Sequence, residues 1–273
     1  MTLVNGDIVG FEAFELEQLR VPRDWRDLVG EAPEVTQEKI RLAHQLGLAA
    51  MLFTPGEVKE RTHEMAQVEH ANILARTVPG QLDKSNLYIG ILNGAAPFGG
   101  KLFDTIGGLE PFVHSNVGYA RKSRYEEGLF GSKADKEVRD LIDDKTLAVI
   151  KHAIYFDEVR EEGITIEQVH DHTQNRWQRL TGGLILPKSC IVLCDKDMAD
   201  GVTTFAPENT LIGFKVPVPW ASCTGMDSNG AFRWAPGLAL SNVQLESNRD
   251  LLPEILDTLG ERAVIDIDGF TFI

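Results

Sequence analysis

From residue 87 onward the chain alternates short apolar runs with Gly-rich or acidic breaks, which predicts buried parallel strands whose C-terminal ends carry loops. Leu87-Tyr88-Ile89-Gly90-Ile91-Leu92 is the first run, and it leads through Asn93-Gly94-Ala95-Ala96 into a helical stretch expected to reach Ile106. Ala148 to Phe156 is the second, Ser189 to Leu193 the third and Thr210 to Val216 the fourth. Upstream, Thr54-Pro55-Gly56-Glu57 reads as a helix start: a hydroxyl cap, proline in the first turn and an acid near the positive end of the dipole. That helix is expected to run to about Thr77 and to stop before Pro79-Gly80. Residues 1–52 mix short apolar pieces with Pro22, Pro33 and many charges, and only Thr36 to Leu52 has a helical pattern. They are read as an N-terminal extension to a domain spanning 53–273. Strands alternating with helices define an α/β fold, in which ligands bind beyond the strand C-termini.

Composition narrows the function. With 43% hydrophobic and 25% charged residues, the chain has the balance of a soluble globular protein. No run approaches the roughly 18 apolar residues of a membrane span, and the N-terminus lacks a basic region followed by an apolar one. A cytoplasmic protein without a membrane partner is expected. Three cysteines, Cys190, Cys194 and Cys223, are too few and too odd for a disulfide framework. A net charge of -14 repels polyanions, so nucleic acid is not expected as a partner. The densest basic cluster, Arg121, Lys122 and Arg124, is followed at once by Glu126 and Glu127 and reads as a solvated loop.

The segment Tyr155-Phe156-Asp157-Glu158-Val159-Arg160-Glu161-Glu162-Gly163-Ile164-Thr165-Ile166 carries the most chemistry. It sets two carboxylates at a strand end, where they can accept from ribose hydroxyls. A glycine turn follows, able to offer backbone N–H groups and a Thr hydroxyl to a phosphate. The same pattern also suits an exposed acidic helix start. Competing motifs fail on detail. Gly94 to Lys101 nearly spells a nucleoside-triphosphate loop, but its lysine is displaced and Leu102 stands where Ser or Thr is required. His170-Asp171-His172 and the Cys190/Cys194 pair lack a four-ligand metal pattern and read as structural. No G-x-S-x-G nucleophile elbow is present.

An apolar strand, two acids, two residues, an acid, one residue, Gly, any residue and Thr resembles the diphosphoribosyl-pyrophosphate motif of type I phosphoribosyltransferases. Three further segments are similar, in order and spacing, to the hypoxanthine-guanine branch. Tyr88 to Gly94 resembles its first strand and pyrophosphate loop. Pro187-Lys188-Ser189 through Leu193-Cys194-Asp195-Lys196 resembles the strand ending in the base-reading lysine. Ile212 to Pro217, then Trp220, Gly225-Met226-Asp227 and Arg233, resembles the terminal base-binding segment. The likeness spans about Phe53 to Leu240.

The resemblance implies a mainly parallel sheet flanked by helices with a small hood region. It implies a magnesium-dependent glycosyltransferase acting on phosphoribosyl pyrophosphate and a hypoxanthine- or guanine-like base, assembled as a homo-oligomer, dimer or tetramer. Asp157 and Glu158 would bind the ribose hydroxyls directly or through Mg2+, and would stabilise an oxocarbenium-like transition state. Glu161 would be the general base beside the purine imidazole ring. Gly163, Ile164 and Thr165, with the neighbouring Glu162, form the loop for the 5′-phosphate. Asn93 and Gly94 belong to the pyrophosphate loop. Lys196, a donor only, would select an oxo group at purine position six. Trp220 would stack on the base, Asp227 would hold magnesium, and Arg233 would bind the pyrophosphate. The flexible catalytic loop is expected between Ser115 and Asp140.

Three positions depart from the family pattern: Asn93 replaces a usual Lys or Arg, Glu162 a small hydroxyl residue and Ile164 a polar one. They leave two alternatives, a catalytically silent nucleotide-binding or regulatory protein of the same fold, and a transferase whose ribosyl donor lacks the 5′-phosphate.

Overall fold

The computed structural model describes residues 13–28, 48–76, 85–92, 94–109, 116–121, 138–160, 163–196, 210–217, 221–222 and 237–241. The strands are β1 (Arg23–Asp24), β2 (Leu48–Phe53), β3 (Asn86–Leu92), β4 (Asn116–Arg121), β5 (Arg139–Asp140), β6 (His152–Arg160), β7 (Lys188–Lys196), β8 (Thr210–Val216), β9 (Ala221–Ser222) and β10 (Leu238–Ser241). The helices are α1 (Ala13–Arg20), α2 (Pro55–Arg76), α3 (Ala95–Leu109), α4 (Asp144–Val149) and α5 (Ile164–Thr181), with a 3-10 turn over Trp25–Leu28.

Seven strands form one sheet in the order β1-β8-β7-β6-β3-β4-β5. Every neighbouring pair is parallel except β4 and β5. A smaller antiparallel sheet, β2-β10-β9, forms the hood. Side-chain alternation divides the core. Phe156, Ile191, Leu193 and Phe214 pack with Met65 of α2 and Phe98 of α3 on one face. Tyr155, Cys190 and Val192 pack with Ile166 and Val169 of α5 on the other. Because both faces are covered, the central strands are apolar nearly throughout and read as continuous runs. Cys190 and Cys194, both in β7, are fully buried free thiols.

Helix α2 starts as its sequence predicts. Glu57 N–H donates to Thr54 Oγ1 at 3.3 Å, while the Glu57 carboxylate accepts from the Thr54 N–H at 2.7 Å, a reciprocal capping box. One turn further on, Arg61 is 2% exposed and spends its guanidinium on four carbonyls, those of Leu19, Val21, Ile212 and Gly213, and on the Glu64 carboxylate. It thereby ties α1 and the approach to β1 onto β8. Within the 1–52 stretch expected as an extension, β1 thus joins the main sheet, Trp25 enters its core, and β2 begins the hood.

Three local expectations change. Leu48–Phe53, the end of the stretch with a helical pattern, is strand β2, because pairing with β10 decides what an all-apolar run leaves ambiguous. The strand expected from Ala148 begins at His152. Asp143 accepts from the Thr146 N–H at 2.9 Å, which starts a short helix that claims Ala148 and Val149. The span expected as a flexible loop, Ser115 to Asp140, opens with β4 and closes with β5, which pair with each other. Its remaining residues, 122–137, lie outside the described residues.

Candidate active site

The C-terminal ends of β3, β6 and β7 lie side by side and gather the described members of the expected site. Strand β6 runs past the two acids to Arg160, because β7 continues to pair with it at Val159↔Cys194 and Arg160↔Asp195. Asp157 and Glu158 therefore sit within the strand rather than in a loop beyond it. Alternation sends neighbouring side chains to opposite faces. Burial pushes the Cys190 thiol up to about 12 and the Cys194 thiol well up, with Asp157 adding to the first shift and Glu158 to the second. Asp157 is 7% exposed and folds back to accept the Glu158 N–H at 2.9 Å.

Gly94, directly after β3, faces the Glu158 carboxylate so closely that any Cβ there would overlap it. The loop thus needs glycine for a steric reason, and the space belongs to an acid and whatever it binds. Lys196, the last residue of β7, is 8% exposed, and its charge opposes that of Glu158 at Cys194.

Gly163, the residue before α5, is buried, with φ 74° in the left-handed region that favours glycine. Gly163 caps α5 through its carbonyl, which accepts from the Glu167 N–H at 3.0 Å, but it has no side chain to bond the first-turn N–H groups. Those of Ile164 and Thr165 carry the positive end of the helix dipole. Both residues are half-buried. Of the expected site residues, Asn93, Glu161, Glu162, Trp220, Asp227 and Arg233 lie outside the described residues.

Magnesium prefers oxygen ligands and is usually held by one or two carboxylates together with substrate oxygens and water. Asp157 and Glu158, adjacent near the end of β6, are oxygen donors of that kind, so the donor chemistry of the residues present fits such an ion. Among the described residues no group of three His, Cys, Asp or Glu side chains forms a complete metal site.

One pair was not foreseen. Arg160 Nε and Nη2 donate to the two oxygens of Asp195, each at 2.8 Å, with Arg160 5% exposed. Each charge near the end of a buried strand needs a counter-charge, but the sequence does not say which residue of the neighbouring strand supplies it.

No protein-family model and no curated protein matches this sequence. Solved structures do match in fold. A hypoxanthine phosphoribosyltransferase from Staphylococcus aureus is 18% identical, with 73% of this chain and 94% of that chain covered and a TM-score of 0.53. The hypoxanthine phosphoribosyltransferase of Trypanosoma cruzi complexed with the product IMP is 16% identical, with 80% and 98% covered and a TM-score of 0.56. A further structure of the T. cruzi enzyme, which concerns the role of its C-terminal region in oligomeric state and activity, is 17% identical, with 80% and 99% covered and a TM-score of 0.55. The fold is that of the type I phosphoribosyltransferases, with the parallel sheet and hood described above. Among the described residues no helix is long and apolar enough to cross a membrane.

Proposed function

We propose that this chain transfers a phosphoribosyl group from phosphoribosyl pyrophosphate to a purine-type base of the hypoxanthine-guanine kind and releases pyrophosphate. The observation that carries this reading is the Glu158 carboxylate beside Gly94, on the strand whose next turn opens α5 through a left-handed glycine. In it, Asp157 and Glu158 hold the ribose hydroxyls and offset positive charge at the anomeric carbon as the pyrophosphate departs. The backbone from Gly163 to Thr165 receives the 5′-phosphate. Glu161 accepts a proton from the imidazole ring, Lys196 donates to the 6-oxo group and Trp220 stacks on the base. Asn93 and Gly94 line the pyrophosphate position, and Arg233 binds its oxygens. A magnesium ion held by Asp227, Asp157 or Glu158 would neutralise pyrophosphate charge when bound. Assembly as a dimer or tetramer, in the cytoplasm, belongs to the same reading.

Steady-state assays with hypoxanthine, guanine and xanthine test it. Pyrophosphate release with at least one base is expected, and none with any base refutes the transferase reading. The apolar, half-buried Ile164 at the first position of α5, together with Asn93 and Glu162, favours one second reading, a silent protein of the same fold. Calorimetry that finds a purine nucleotide bound without turnover supports that one instead.

A further inference from the structure

The Arg160–Asp195 pair stands between the two halves of the proposed site. Along the chain, Arg160 falls between Glu158 and Gly163, while Asp195 immediately precedes Lys196. The two residues are directly opposed in register, at the last rung of the β6–β7 ladder. Past this rung the described pairing of the two strands stops, so the side-chain fork is what continues it.

The same row extends across the sheet with alternating sign. Asp195 is opposed by Lys215 on β8, and Lys215 by Asp24 on β1, with Lys215 Nζ 4.0 Å from the Asp24 carboxylate. Arg26 closes the row, its guanidinium 3.4 Å from the Asp24 carboxylate. Four registered strands therefore end in charges of alternating sign, each beside its opposite. Stability alone does not account for the buried end of the row, because well-packed apolar residues of similar volume are usually as stable there as an ion pair. A bidentate guanidinium–carboxylate fork instead fixes relative position, since both bonds hold only in one planar arrangement.

We infer that Arg160 and Asp195 are positioning residues that lock the ribose-binding end of β6 to the base-reading end of β7, so that filling one half of the site favours filling the other. This rests on the phosphoribosyltransferase reading of the site. Neither side chain touches substrate in this account. Arg160 acts through Glu158 and the Gly163 turn, and Asp195 through Lys196.

Calorimetry on the full chain tests the inference, with hypoxanthine titrated alone and in the presence of saturating ribose 5-phosphate and magnesium. In the wild type, ribose 5-phosphate should tighten hypoxanthine binding about tenfold, within the usual range of coupling between sites. The double variant R160M/D195V, which replaces the pair by apolar side chains, should melt close to the wild type while the coupling falls below about twofold. K215M, which removes a charge from the row but leaves the pair intact, should keep the wild-type coupling. If the double variant does not fold, R160K and D195N carry the same measurement, with intermediate coupling expected from each. Wild-type coupling in the pair variants overturns the inference, as does a wild type that binds both ligands independently. A wild type that binds neither ligand refutes the reading of the site itself, and the inference falls with it.

Discussion

Two buried arginines, one on α2 and one on β6, do different work. Arg61 donates to four backbone carbonyls and one carboxylate, and its partners come from α1, the approach to β1, β8 and its own helix. Arg160 forks onto the Asp195 carboxylate toward the C-terminal ends of β6 and β7. A guanidinium surrounded by main-chain oxygens cannot move without unpairing the chain, whereas a guanidinium–carboxylate fork can be exchanged as a pair. Burial is thus a poor guide to role. What an arginine is bonded to separates a fastening of the fold from a setting of the site.

The contrast is sharpest under substitution. Arg61→Met should cost about 3–5 kcal/mol, because it strands buried carbonyls and the Glu64 carboxylate. Urea denaturation of wild type and variant measures this, and a loss below about 1 kcal/mol would erase the distinction. At the site, Glu158→Gln should lower kcat/KM by about a hundredfold, the scale for losing one charge aimed at a developing cation, with little change in melting temperature. Equal losses of activity and stability would return Glu158 to the fold.

Acid separates the two regions by pH window. Burial pushes the His170 ring, on α5 against Tyr155, down from 6.5 to about 4, Lys188 adds to the shift, and Asp171 opposes it. A depressed folded value means that His170 contributes stability in full above 6.5 and loses it as pH falls toward 4. Glu64 acts in a lower window. Burial alone would raise its carboxyl, but hydrogen bonds from Arg61 and Arg23 outweigh burial and hold it below its ordinary 4.5. Its contribution is complete above 4.5 and disappears as pH falls through the lowered value. Denaturation midpoints between pH 7 and 3 should therefore flatten in the upper window for His170→Gln and in the lower one for Glu64→Gln. A change in the wrong window for either variant would break the assignment. Last, Lys215→Met, at a side chain 46% exposed and 4.0 Å from Asp24, should shift stability by at most about 1 kcal/mol. A larger loss would mean that the charged row fastens the fold as Arg61 does.

How far the sequence disclosed this structure follows from what each signal depends on. Strand β8 lies where its apolar run predicts, β3 begins one residue earlier, and α2 begins at its capping box, because these signals are local. Strand β6 is displaced from the expected span because the Asp143 cap captures residues whose apolarity alone says strand. Asp157, Glu158 and Gly163 are singled out from the residues and Gly94 and Lys196 from the resemblance; all lie near the C-terminal ends of β3, β6 and β7, which parallel pairing brings together. The Arg160–Asp195 pair was not legible, because the β6–β7 register is long-range and nothing local to either residue announces the other. The same holds for Arg61, whose carbonyl partners carry no sequence signature.

The two thiols of β7 give the central sheet an internal clock. Burial holds Cys190 and Cys194 protonated and out of reach, so neither is a nucleophile toward reagent in the folded chain. A thiol-reactive dye would mark them only when the strand is released, and in a chain carrying Cys223→Ser the labelling rate would count openings of the sheet's interior one molecule at a time.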